Sequence, residues 1–224
     1  MAGPHEILGM SRVLGIGTTE FLSLHTDNGG TTLRSEADGR CVFLTPSGCR
    51  VHPRRPLVCR LYPLGRTTNE RGEERFAVFS AQPDCLAKVG RDGTVESFLE
   101  SQGITPYFEW SRRYGELYRG MLRLLERLDI QGKVSVEGRP DAPPAEAGAT
   151  EAPAVGPSAD RSPLSSWQDI DASIAEYCAA KGIAVPEGID EAIVLHLRAM
   201  EAWLDDLEAR LGEVRNDPEG APKP

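Results

Sequence analysis

The sequence predicts a mainly helical α+β protein. Its expected parts are a small, irregular, cysteine-bearing region with short strands, a long helix, a disordered linker and a terminal helical hairpin. Three observations carry this. Apolar residues spaced three and four apart run from Tyr107 to Leu128; short β-like runs broken by Gly and Pro fill residues 31 to 79; and a Pro- and Ala-rich stretch separates them from a second pair of helical patterns.

In chain order, residues 4 to 25 read as two short helices broken at Gly15. Ile7, Leu8, Val13 and Leu14 share one face of the first, and Thr18 or Thr19 offers an N-cap before Glu20-Phe21-Leu22. Asp27-Asn28-Gly29-Gly30 marks a turn, after which Thr31-Thr32-Leu33, Cys41-Val42-Phe43-Leu44 and Phe76-Ala77-Val78-Phe79 read as short strands. Residues 92 to 103 predict a short helix with Val95, Phe98 and Leu99 on one side. The long helix follows from Thr105, with Pro106 in its first turn and a seam of Tyr107, Trp110, Tyr114, Leu117, Met121, Leu124 and Leu128. Such a seam packs on the rest of the domain or on a second copy.

Residues 133 to 164 hold Pro140, Pro143, Pro144, Pro153, Pro157 and Pro163 and almost no large apolar group, so they cannot repay their ordering entropy. Beyond them, Ser165-x-x-Gln168 resembles a capping box opening a helix with Trp167, Ile170, Ile174 and Tyr177 that stops at Gly182. The last helix has the seam Ile193, Leu197, Met200, Leu204, Leu207 and Leu211. The expected organisation is a cysteine-bearing domain over 1–132, a linker over 133–164, a hairpin over 165–214 and a disordered tail over 215–224. A hairpin of this size is marginal alone and is expected to dock on the first domain or on a second copy.

The 224 residues are 40% hydrophobic, 26% charged and 6% aromatic, a balance that excludes collagen, membrane proteins and wholly disordered chains. The formal charge of -9 is unevenly placed: residues 1–132 carry 17 Lys and Arg against 16 Asp and Glu, while the remainder carries 8 against 18. Arg34, Arg40, Arg50, Arg54, Arg55, Arg60 and Arg66 face only Glu36 and Asp38 within residues 34 to 66, a patch suited to an anion. The acidic whole argues against nucleic acid as a partner. The start of the sequence has no signal-peptide pattern and no run spans a bilayer, so a cytoplasmic location with reduced thiols is expected.

Reduced thiols point to metal or redox chemistry rather than a disulfide frame. Four of the five cysteines, Cys41, Cys49, Cys59 and Cys85, fall in one stretch, and each lies near turn residues. Turns can aim side chains at a common point; four thiolates in tetrahedral array suit zinc, and the same set can hold an iron–sulfur cluster. Cationic neighbours lower a thiol's pKa and favour the thiolate. The competing readings are four unrelated buried thiols, and arginines such as Arg60 and Arg66 that only solvate a surface.

The runs Gly39-Arg40-Cys41-Val42-Phe43-Leu44, Gly48-Cys49-Arg50-Val51-His52 and Arg55-Pro56-Leu57-Val58-Cys59-Arg60-Leu61-Tyr62-Pro63 resemble the YkgJ-type cysteine-cluster (CxxCxxCC) family of zinc- or iron-chelating proteins. The segment from Pro4 to Leu22 is similar to that family's helical lead-in, so the resemblance covers roughly residues 4 to 90. It implies a metal ion held by the clustered thiolates in a structural or redox role. Family members open with a C-x-x-C-x-x-C-C motif, and this sequence has no cysteine before Cys41. The expectation is that the chain starts late, through a misplaced start codon or a fragment boundary; otherwise it is a degenerate member whose four cysteines bind one metal or none.

The alternative the resemblance opens is an enzyme, because flagellin lysine N-methylases carry a similar domain and some relatives are labelled iron–sulfur oxidoreductases. No adenosylmethionine site or catalytic motif is recognisable here. A third reading makes the acidic hairpin a surface for a protein partner. His52, at Cys49-x2-His52, has chelating spacing; His25 and His196 read as structural or exposed, and Cys178 as a small buried hydrophobe.

Overall fold

A computed structural model of the chain describes residues 2–69, 73–79, 93–127 and 167–216. Helices dominate: α1 (Pro4–Leu14), α2 (Thr18–His25), α3 (Leu57–Leu61), α4 (Val95–Ser101), α5 (Thr105–Arg127), α6 (Ile170–Lys181) and α7 (Ile189–Asn216). Strands β1 (Thr26–Asp27), β2 (Thr32–Leu33), β3 (Leu44–Thr45), β4 (Gly48–Cys49), β5 (Leu64–Thr68) and β6 (Glu74–Val78) form three two-stranded antiparallel hairpins. The mainly helical α+β class is thus as expected. The linker and tail expectations for 133–164 and 215–224, and the place of Cys85, lie outside the described residues, save that α7 extends to Asn216.

The first helix carries Pro4 in its first turn, where a missing N–H costs nothing, and ends at Gly15, whose φ of 72° is open to glycine without strain. Helix α2 has only Gly17 before it and no cap of its own. Its N-terminus is capped instead from the far end of the chain. The Asp171 carboxylate accepts from the Thr18 N–H at 2.8 Å and pairs with Arg12, and Asp169 accepts from the Thr18 and Thr19 hydroxyls at 2.6 Å each. Asp169 also accepts from the Ala172 N–H, so it is the N-cap of α6. The capping box expected at Ser165 lies outside the described residues; α6 itself opens at Asp169, which serves two helices at once.

Two further differences concern strands. Cys41 to Phe43 is not a strand: Cys41 makes a single bridge to Ser35, and the chain turns at once, the Leu44 N–H donating to the Cys41 carbonyl at 2.9 Å, so that only Leu44 of the expected run enters a strand, β3. Leu64–Thr68, unread in the sequence because Gly65 and two polar threonines blur its alternation, pairs over five residues with β6.

Three apolar clusters bind the helices together. Leu8, Tyr114, Ile170, Ile174, Ala192, Ile193 and Leu197 join α1 to α5, α6 and α7. Ile7, Met10, Phe21, Phe43 and Val51 hold α1 and α2 on the cysteine-bearing loops. Met121, Leu124, Trp167 and Leu204 close the far end, so the described parts of the α5 and α7 seams face each other within one chain. At ~25 cal/mol per Å² of apolar area, each fully buried Leu or Ile contributes about 2 kcal/mol. Cys178 is buried in α6, as expected.

His196 is fully buried rather than exposed. It shares a 2.8 Å hydrogen bond with the Tyr114 hydroxyl, and Tyr114 stacks in turn on His5, ring centroids 5.5 Å apart. Burial disfavours the charged ring and holds both imidazoles at about 4. Asp169 acts on His196 in the opposite sense but more weakly. Between that value and the unfolded value near 6.5, the unfolded chain binds protons that the folded chain does not, so stability rises with pH across this window. Glu6, whose carboxyl burial raises, opposes this in part. Stability should fall as pH drops from 6.5 towards 4, by up to about 3 kcal/mol for each histidine. Urea melts at a series of pH values check this, and His196→Gln should flatten the slope.

Candidate metal centre

Cys41, Cys49 and Cys59 come together through local backbone geometry. The β3–β4 hairpin pairs Leu44 with Cys49, and the turn Cys41–Leu44 places Cys41 beside the same hairpin. Gly48, at φ 109°, takes the left-handed position of the tight turn that delivers Cys49. The Arg50 N–H donates to the Phe43 carbonyl at 2.9 Å, which locks the hairpin on a fully buried Phe43. Cys59 comes from α3, which begins at the buried Pro56 and ends at Tyr62, ahead of a cis Tyr62–Pro63 peptide.

All three thiols are free; Cys41 and Cys59 are exposed and Cys49 is half-buried. Although Cys59 has open surface, crowding around its sulfur raises its pKa by desolvation, and the nearby Cys41 and Cys49 thiolates raise it further; Glu6 adds to this and Arg55 opposes it. Cys41 and Cys49 are thus the two thiols that act on Cys59. The expectation that arginines lower these thiols fails at Cys59, where desolvation and thiolate repulsion outweigh the one cation acting on it.

The arginine patch is largely consumed by internal contacts. Arg34 pairs with Asp27, Arg40 with Asp38 and Arg66 with Glu74. Arg60 does not solvate a surface. It is buried and donates to the carbonyls of Arg55 at 3.1 Å, Gln102 at 2.7 Å and Pro53 at 2.8 Å, and to the Tyr107 hydroxyl at 2.9 Å, while its guanidinium lies over the Tyr107 ring. It thereby ties the loop before α3 to α5.

Glu6, which sequence reasoning missed, is the second tie. Its carboxylate accepts from the Leu57 N–H at 2.5 Å and the Gly3 N–H at 2.8 Å, capping α3 and α1 together. Desolvation raises its pKa, and the two backbone bonds and Arg60 pull the other way. A carboxylate three residues into α1 reads as an ordinary first-turn acid, and nothing in the local sequence points to a helix over fifty residues away. His52 stands exposed at the start of a 3-10 turn beside Arg55, and the His25 ring lies tilted against Phe21 and Phe43. Burial lowers the His25 imidazole, with Arg50 and Arg34 adding to it and Glu20 opposing.

Among the described residues, no three His, Cys, Asp or Glu side chains converge closely enough to grip a metal ion as they stand. The donor chemistry nevertheless fits a soft or borderline metal: three free thiols from two loops and a short helix share one neighbourhood, and the fourth, Cys85, lies outside the described residues.

Residues 12–85 match the model of the CxxCxxCC family, described as a "putative zinc- or iron-chelating domain", over about a third of the chain and across all four clustered cysteines. This is the family whose resemblance the sequence motifs carry. Comparison with curated proteins and with solved structures gave no match. No described helix is long and apolar enough to cross a membrane.

Arg60→Met should leave three backbone carbonyls without their donor and cost about 3 kcal/mol or more. Arg60→Lys, which keeps the charge but can reach only part of this set, should recover only part of the loss. Thermal denaturation of the three proteins at one pH checks the order.

Proposed function

We propose that this protein chelates a zinc or iron ion through Cys41, Cys49 and Cys59, with Cys85 completing the set. The observation that carries this is that three free thiols are presented by adjoining short elements, Cys41 and Cys49 from the turn and hairpin over 41–49 and Cys59 from α3. The match of residues 12–85 to a zinc- or iron-chelating domain supports it. Thiolates that repel one another when metal-free are held together once a cation sits between them, so binding both draws the loops inward and releases the thiol protons. Three or four thiolates around one divalent ion leave a net negative charge, which the cationic Arg55 near Cys59 offsets. The metal would supply cross-linking of the loops or a redox centre, and an iron–sulfur cluster is the redox form this donor set allows.

Metal content per chain, with a visible spectrum, tests the reading on protein purified without chelator or oxygen. Zinc without colour supports a closed structural site, and iron with a brown charge-transfer band supports a redox centre. Cys59→Ser should lose the bound metal and much of the stability gained from it, whereas unchanged metal content in that variant would sink the proposal. Chelator treatment of the wild-type protein should reproduce the variant's lower melting temperature.

A further inference from the structure

A cavity of about 510 Å³ opens between α1, α3, α5 and the β5–β6 hairpin, and none of the cysteines lines it. Ligand cavities commonly fall between about 300 and 1,000 Å³. One wall is apolar, made by Leu57, Leu61, Leu64 and Phe79. The Phe79 ring lies so close over Gly65 that a Cβ there would meet it at 2.3 Å. His5, Arg66, Ser111 and Tyr114 supply the polar side.

Two of these wall residues hold buried polar atoms with no hydrogen-bond partner: both ring nitrogens of His5 and Nε of Arg66. His5 is 5% exposed and stacked on Tyr114, so its ring is fixed where it is. Native proteins rarely leave such groups unmet, since each costs about 1–3 kcal/mol. Two independent deficits in one cavity wall mark it as a site that a ligand completes.

The deficit is in hydrogen bonds, not in charge. The Arg66 guanidinium is already paired with Glu74 and rests on the Phe108 ring. The wall also contains Glu6, whose two oxygens are taken by backbone N–H groups. An incoming anion would meet the Glu6 carboxylate and a cation already paired with Glu74. We infer that this cavity binds a small uncharged molecule carrying an amide or similar paired acceptor and donor on an apolar body, with the polar end on Arg66 and His5 and the body on Leu57, Leu61, Leu64 and Phe79. The inference does not depend on whether the thiols hold metal.

The test titrates the full chain with benzamide and, separately, with benzoate, following backbone amide shifts by NMR. Benzamide should give saturable shifts at Leu61, Leu64, Gly65 and Ser111, with benzoate at least about tenfold weaker, a difference of about 1.4 kcal/mol. Arg66→Met should weaken benzamide by about tenfold. Phe79→Ala, at an exposed position that the fold does not depend on, should weaken it without changing the benzamide-to-benzoate ratio. Tighter binding of benzoate would overturn the uncharged class. Shifts centred elsewhere, or none that saturate, would overturn the site.

Discussion

A guanidinium has five N–H donors, no acceptor and a fixed charge, so it enters a protein interior only where oxygen atoms already surround it. Arg60 meets that condition with three main-chain carbonyls and one phenol, drawn from the loop before α3, from the end of α4 and from α5. Those carbonyls belong to segments with no regular partners of their own. Without Arg60, the loop 52–56 has little to hold it against α5, and α3 is too short to persist by its own hydrogen bonds. Cys59 sits one residue before this arginine, so its position follows from the arginine's.

The same logic recurs with opposite sign at Glu6. A carboxylate buried at the junction of two helix N-termini accepts one N–H from each, which meets orphan donors that neither helix could satisfy by itself. Asp169 and Asp171 repeat it at α2 and α6. The loops carry few apolar side chains, and these charged ties between distant segments stand in for the core that such loops cannot build.

How much of this could be read from the sequence divides along the range of the interaction. Helices α1, α2, α5 and α7 were legible because their apolar spacing is local and repeats over several turns, and Gly15 and Gly182 stop their helices by a conformation that glycine favours. Cys41, Cys49 and Cys59 stand out in the sequence because each lies beside turn residues. What stayed hidden depends on partners far along the chain. Asp169 looks like one acid among many in an acidic segment until it meets Thr18, some 151 residues away. Arg60 looks like part of a basic surface patch, since sequence shows its charge but not the carbonyls that enclose it. Cys59 was expected to be lowered by its arginines; the crowding that raises it instead is a property of packing.

The geometry of α3 accounts for why one short helix serves two separate sites. At about 100° per residue, Leu57 and Leu61 point one way and Cys59 nearly the opposite way, with Arg60 between them. Leu57 and Leu61 form the floor of the cavity, Arg60 turns inward to its carbonyls, and Cys59 faces outward towards Cys41 and Cys49. Leu57, Cys59 and Leu61 share little more than one turn, so a displacement of Cys59 is felt by both leucines. Glu6 restrains that movement at the first N–H of the helix and Arg60 restrains it at the end. The thiol face and the cavity face are thus two sides of one short helix whose ends are tied by the buried Glu6 and Arg60.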